Sequence, residues 1–186
     1  MYETSKSIFH RLADSRYATR YFVGQGIDIG AGPDALGQYA EFFPLMRSCR
    51  AWDMPDGDAE LLATVADNSF DFVHSSHCLE HMRNVEVALD NWLRVLKPGG
   101  HLVCLVPDED LYEQGVFPST FNSDHKHTFA IHKKTSWSPK SINVTTLLTN
   151  TRADIQVKKI ELLDATFRYS LLTALAQATA AHGPAR

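Results

Sequence analysis

The chain has only three cysteines in 186 residues, and Cys49, Cys78 and Cys104 form neither a CxxC pair nor a repeated spacing. A disulfide framework, a dithiol redox centre and a cysteine-ligated zinc site are therefore not expected. Long apolar runs are missing as well. None approaches the roughly 20 residues needed to span a bilayer, and the opening stretch MYETSKSIFHRLADSR lacks the apolar core of a secretory signal. The expected setting is cytoplasmic, with no membrane partner. Neither sign of charge dominates: 18 Lys plus Arg stand against 22 Asp plus Glu, for a net charge of −4. That balance speaks against an extended nucleic-acid surface and leaves small anionic substrates open. Tandem repeats and low-complexity tracts are absent, and 44% hydrophobic residues suffice for one core and a single domain over residues 1–186.

Residues 1–22 space Ile8, Phe9, Leu12, Tyr17 and Phe22 closer to a helical stripe than to strand alternation, which predicts a helical cap on one face or a lid over a pocket. Ile27 and Ile29 then mark a short strand that runs into Gly30-Ala31-Gly32, where backbone amides can approach a ligand because no Cβ intervenes. A helix is predicted to start near Pro33, to carry Ala35, Leu36, Tyr39 and Ala40, and to end before Pro44. Residues 48–53 read as a second strand. Asp53 stands 21 residues after Gly32, the spacing at which a carboxylate at the second strand's end can accept both hydroxyls of a ribose. A turn over 54–58 and a helical turn over 59–65, capped by Asp58, follow.

The clearest unit comes next. Residues 70–75 read as a third strand, Val85, Leu89, Trp92, Leu93 and Leu96 recur at helical spacing, and Lys97-Pro98-Gly99-Gly100 turns the chain into an apolar run over 102–106. Strand, helix, turn, strand implies a right-handed parallel crossover, with Cys104 expected to be buried. Residues 107–141 show no regular period over thirty-odd positions, too many for a plain connection, and read as a binding loop. Beyond them a short helix over 144–148, an alternating strand over 155–163 and an alanine-rich helix or irregular tail over 169–181 are expected.

With these blocks in place, the chain resembles the class I S-adenosylmethionine-dependent methyltransferases, in the small group that modifies metabolites and sugars. The matching pieces, in family order, are IDIGAGPD at 27–34, the acid Asp53, GDA at 57–59, FDFVHSSHCLEH at 70–81 and LRVLKPGGHLVCLVP at 93–107. The resemblance implies an α/β fold: a three-layer, Rossmann-like, mostly parallel sheet. It implies S-adenosyl-L-methionine as cofactor, with Asp28, Gly30, Ala31 and Gly32 at its methionine end and Asp53 on the ribose. Asp58 and Ala59 would meet the adenine, and Ser75, Ser76 and His77 would follow on the third strand. On this reading 1–22 is the cap, 24–107 the cofactor-binding core, 108–141 the substrate loop and 142–186 a C-terminal part.

Two departures from the family pattern are visible. Only four residues separate Asp53 from Asp58, too few for the usual helix and strand, so the sheet is expected to be abridged there. No β-rich run follows Phe167, so the last strand is either missing or cut off, and an open edge could pair with a second copy to give a homodimer. A nicotinamide-dependent dehydrogenase is the competing reading of strand, GxG and distant acid. It asks for a third glycine at position 35, where Ala35 stands, and for a phosphate beside Asp34.

Methyl transfer to a hydroxyl profits from a base, and histidine has the suitable pKa. His77, His125 and His127 are the candidate catalytic residues, with His81 and His132 nearby in sequence. In an extended segment His125 and His127 would point one way and Lys126 the other, and with Lys133 and Lys134 they could hold an anionic or sugar-like substrate. No metal site is expected, because the spacing of Glu80, His81, Asp124, His125 and His127 matches neither HExxH nor a compact zinc motif. The expected function is methyl transfer to a small molecule, a hydroxyl of a sugar or glycan precursor. The alternative is a non-catalytic partner that keeps the fold. The resemblance of the DHKHTF loop to enzymes of polysaccharide pathways is what points to sugars.

Overall fold

Four strands carry the architecture in the computed structural model, which describes residues 3–165 together with Phe167 and Tyr169. Strand β1 (Gly24–Ile29) is buried along nearly its whole length, with Ile27 and Ile29 at 0% exposure, as a central strand covered on both faces must be. It pairs in parallel with β2 (Met46–Trp52) on one side and with β3 (Phe70–Ser76) on the other. Strand β4 (Leu96–Leu105) pairs in parallel with β3, which gives the order β2-β1-β3-β4. The chain passes from β2 to β3 with no strand between them, so the abridgement read from the Asp53 to Asp58 spacing is real.

Helix α2 (Val85–Arg94) makes the crossover between β3 and β4 and buries Val85, Ala88, Leu89 and Trp92. Its start is set by Asn84, whose side-chain oxygen accepts from the backbone of Glu86 and Val87. Together with Phe129 and Leu147, these residues cover one face of the sheet on Ile27, Ile29 and Val73. The other face is covered by Ile8 of α1 (Glu3–Arg11) and by Tyr17, Phe22, Leu36 and Phe43, packed on Phe72 and Val103. Phe22 is the hinge of that layer, edge-on to Phe43 at 4.7 Å, Tyr17 at 5.2 Å and Phe72 at 5.4 Å. The result is the expected three-layer α/β fold with a parallel sheet.

Several local expectations change. Residues 32–42 form two short 3-10 segments, Gly32–Asp34 and Leu36–Phe42, because extended Ala35 interrupts them. Strand β4 begins at Leu96, and a register slip opposite 70–72 absorbs the Pro-Gly-Gly stretch. Cys104 is exposed, since β4 is an outer strand among the described residues and its apolar run is not covered on both sides. Residues 155–163 join no ladder and carry no regular structure, leaving Val157, Ile160, Leu162 and Leu163 exposed. The predicted helix or tail over 169–181 lies almost wholly outside the described residues. Past β4 the chain builds a second, two-stranded parallel pair, β5 (Thr128–Ala130) and β6 (Ser141–Asn143), and then α3 (Val144–Asn150). No described helix is long and apolar enough to cross a membrane.

Candidate functional site

The order β2-β1-β3 reverses direction at β1, so the crevice opens beyond the carboxyl ends of β1 and β3. Three loops meet there: Gly30–Gly32 after β1, Asp53 after β2 and the 77–81 segment after β3. Gly30 and Gly32 have φ of +72° and +51°, and for different reasons. A Cβ on Gly30 would lie 2.6 Å from Cβ and Sγ of Cys78, so only glycine lets the first loop rest on the third. A Cβ on Gly32 would meet no atom within 4 Å, so the space beyond it is open. Burial, with Glu80 close by, pushes the Cys78 thiol up to about 12, which makes it packing material and not a nucleophile.

The candidates for cofactor contact fall into two groups. Asp53 sits at the crevice, half-buried; its Oδ2 accepts from the Gly32 amide at 3.0 Å and its Oδ1 from Met54 at 2.8 Å. Ala31 and Gly30 are anchored behind it through amides on the Trp52 carbonyl. Ser76 Oγ is buried with no hydrogen-bond partner among the described residues, an orphaned donor at the end of β3. By contrast, Asp28 faces away from the crevice. It is 1% exposed, with Oδ1 2.6 Å from His74 Nδ1 and Oδ2 accepting from Leu36 at 2.7 Å, so it holds the loop from behind. Ser75 is likewise turned inward, donating to the Ile29 carbonyl. Asp58 is exposed, caps its own turn at Glu60 and pairs with Arg83 at 2.8 Å, while the Ala59 carbonyl accepts from the Trp92 indole.

Helix α1 lies against this entrance. Ser5 donates its amide and hydroxyl to Asp34 Oδ2, and Glu3 reaches within 4.0 Å of His77. The covering helix read from the N-terminal spacing is present, with Ile8 packed in the layer over the sheet.

The histidines separate. His77 follows β3 with a φ of +52°, strained for a residue with a side chain. Its ring is partly open, with Nδ1 3.4 Å from Glu80 Oε1. His125 is buried, its Nδ1 2.6 Å from Glu113 Oε1, and its ring packs on Tyr112 at 5.3 Å. His127 points elsewhere, with Nε2 3.1 Å from the Met82 carbonyl, and lines a cavity of about 490 Å³ with Arg83, Asn84 and Asn143. Burial holds its pKa below the usual imidazole value. The shared face predicted for His125 and His127 is therefore not formed: one ring is held by Glu113 and the other by the Met82 carbonyl. The lysines are also committed: Lys126 donates to the His81 carbonyl and to Asp124, and Lys133 to Glu109 and Asp110. His132 is exposed, 3.2 Å from Thr145 Oγ1.

Sequence reasoning gave Glu109 and Glu113 no role and weighed Glu80 only by its spacing to histidines, yet all three are at 0% exposure. Acidic residues in a polar loop read as solvated, and only the fold shows that they are inside.

Residues 27–104, under half of the chain, match the family model described as a methyltransferase domain. No curated protein matches the chain. Among solved structures it is similar to a SAM-dependent methyltransferase from Archaeoglobus fulgidus, with 15% identity over 95% of this chain and 86% of that one at a TM-score of 0.55. It is also similar to a SAM-dependent methyltransferase from Thermotoga maritima, with 23% identity over 57% and 55% at 0.41. A Bacillus halodurans protein designated a methyltransferase gives 20% identity over 53% and 46% at 0.41, so the chain spans about half the length of these last two. Residues 27–104 are thus similar to a methyltransferase domain, and the likeness to the Archaeoglobus fulgidus structure shows the fold, a class I, Rossmann-like one.

Proposed function

We propose that the chain transfers a methyl group from S-adenosylmethionine to a hydroxyl of a small molecule, a sugar or glycan precursor. The observation that carries the reading is the glycine loop with open space beyond Gly32, where Asp53 accepts from the Gly32 amide and Cys78, the chain neighbour of His77, rests on Gly30. The cofactor supplies a methyl group already activated on a sulfonium. Gly30, Ala31 and Gly32 offer backbone to its amino-acid end, and Asp53 keeps lone pairs for the ribose hydroxyls while its two amide bonds fix its direction. Ser76 Oγ is a further donor toward the same ligand.

Transfer needs an acceptor oxygen held in line, and orientation supplies most of the gain. His77 is the base in this reading, since its ring is partly open and it directly precedes Cys78, which rests on Gly30. Residues 108–141 position the acceptor and α1 closes over it. Lys126 and Lys133 are neutralised by Asp124, Glu109 and Asp110, which favours a neutral, hydroxyl-rich acceptor over an anionic one.

Calorimetry with S-adenosylmethionine and its demethylated product tests the reading. One site per chain is expected, weakened by about 2–5 kcal/mol in Asp53→Ala. His77→Gln should cut turnover roughly 10²-fold at unchanged cofactor affinity. No binding at millimolar ligand by folded protein would overturn the proposal. Binding without transfer to any hydroxylated acceptor would favour the non-catalytic partner, the reading that the abridged passage from β2 to β3 supports.

A further inference from the structure

The turn Leu79–His81 and the loop around His125 are clamped together by backbone. The amides of Lys126 and His127 both donate to the Glu80 carbonyl, at 2.9 and 3.3 Å, and the Lys126 ammonium donates to the His81 carbonyl at 2.8 Å. This clamp brings together side chains 44 and 45 positions apart. One donor atom each from Glu80, His81 and His125 lies within 4.8 Å of the other two.

Glu80 is the anomaly. Its side chain is 0% exposed, yet neither carboxylate oxygen has a hydrogen-bond partner among the described residues. The nearest groups to Oε1 are His77 Nδ1 at 3.4 Å and His125 Nε2 at 3.8 Å, beyond bonding geometry. A second buried carboxylate, Glu113, leaves Oε2 unpartnered as well. Two buried acids with three empty oxygens are costly unless a cation compensates them.

Each imidazole also has a carboxylate at one ring nitrogen. His125 turns Nδ1 to Glu113 Oε1 at 2.6 Å, and His81 turns Nδ1 to Asp124 Oδ2 at 3.0 Å. With a carboxylate accepting at Nδ1, the neutral tautomer that leaves Nε2 free to ligate is the one that fits each ring. A carboxylate behind each histidine is the arrangement that fixes tautomer and ring direction around an ion.

We infer that Glu80, His81 and His125 form a site for a divalent first-row transition ion of the Zn²⁺ class. Two imidazoles and one carboxylate suit that class and not Mg²⁺ or Ca²⁺, which take oxygen sets. Bonds of about 2 Å are reached from the present separations by side-chain movements of under about 1 Å. Three protein donors leave at least one coordination position open. The earlier expectation of no metal rested on chain spacing, and the clamp on the Glu80 carbonyl is what spacing could not show.

The inference stands apart from the methyl-transfer reading, so its test avoids activity. The full chain, stripped with a chelator and shown folded by circular dichroism, is titrated with Co²⁺ and then Zn²⁺. One Co²⁺ per chain with visible d–d absorption, displaced by one Zn²⁺, is expected. His81→Asn and Glu80→Gln should weaken binding at least 100-fold, and Glu113→Gln roughly 10–100-fold. His81 is partly exposed, so H81N keeps the test decisive if E80Q does not fold. Failure of folded wild type to bind one ion, or binding that H81N leaves unchanged, would overturn the site.

Discussion

The parallel sheet and the segment that follows it are held together by opposite means. Between β1 and β4 the chain is fixed by apolar side chains in two layers, with Trp92, Ile27, Phe22 and Phe72 all at 0% exposure. Between β4 and α3 the centre of the structure is a carboxylate. Glu109, equally buried, accepts from Lys133 at 2.6 Å, from Ser136 at 2.9 Å, from Ser141 at 2.5 Å and from Thr128 at 3.3 Å. Apolar burial is non-directional and tolerates small shifts, whereas a buried acid must have each partner in place. The lesson is that the thirty-odd residues without a period are ordered by polar contacts.

The difference can be broken most strongly in the sheet. Trp92→Ala empties the α2 layer and should cost about 3–5 kcal/mol of global stability, read as a lower urea midpoint. Glu109→Gln should cost less, about 1–3 kcal/mol, since Lys133 keeps Asp110 at 2.7 Å. Its signature is regional: amide exchange should rise across 107–143 while β1 and β3 stay protected.

The same contrast should appear with acid. Burial raises the Glu109 pKa, and the hydrogen bonds from Lys133, Ser141 and Ser136 outweigh it, so the group is held below its usual value. A depressed carboxyl contributes stability that is present above the unfolded pKa of about 4.3 and is lost as pH falls through the folded value. Exchange in 107–143 should therefore accelerate below about pH 4.3, and Glu109→Gln should flatten that dependence. Asn84→Ala, which removes the α2 cap, gives the smallest effect, about 1 kcal/mol by urea unfolding.

The sheet was legible because its signals are local. Ile27 and Ile29 before a glycine turn, the helical spacing from Val85 to Leu96 and the Pro-Gly-Gly stretch each announce an element, and their order gives the crossover. The alternation in 155–163 has the same period as a strand, yet alternation assigns faces and cannot supply a neighbour. Cys104 shows the converse, an apolar run whose burial depends on a strand beyond it. At the site, Gly32 and Asp53 were legible from their spacing. The inward turn of Asp28 was hidden, because it depends on His74 in a different strand. The Glu80, His81 and His125 grouping was hidden for the same reason, and it requires a loop to close across 44 residues.

The clamp of Lys126 and His127 on the Glu80 carbonyl sets an order of assembly. Glu80 follows β3, and its turn is positioned by Cys78 resting on Gly30, so the acceptor exists only once β1 and β3 have paired. The loop then condenses late, onto a surface already made. The expected outcome is that Glu109→Gln speeds unfolding and leaves the folding rate unchanged, as a stopped-flow chevron would read. On that order, the polar segment would set the lifetime of the native state and the sheet the rate at which it is reached.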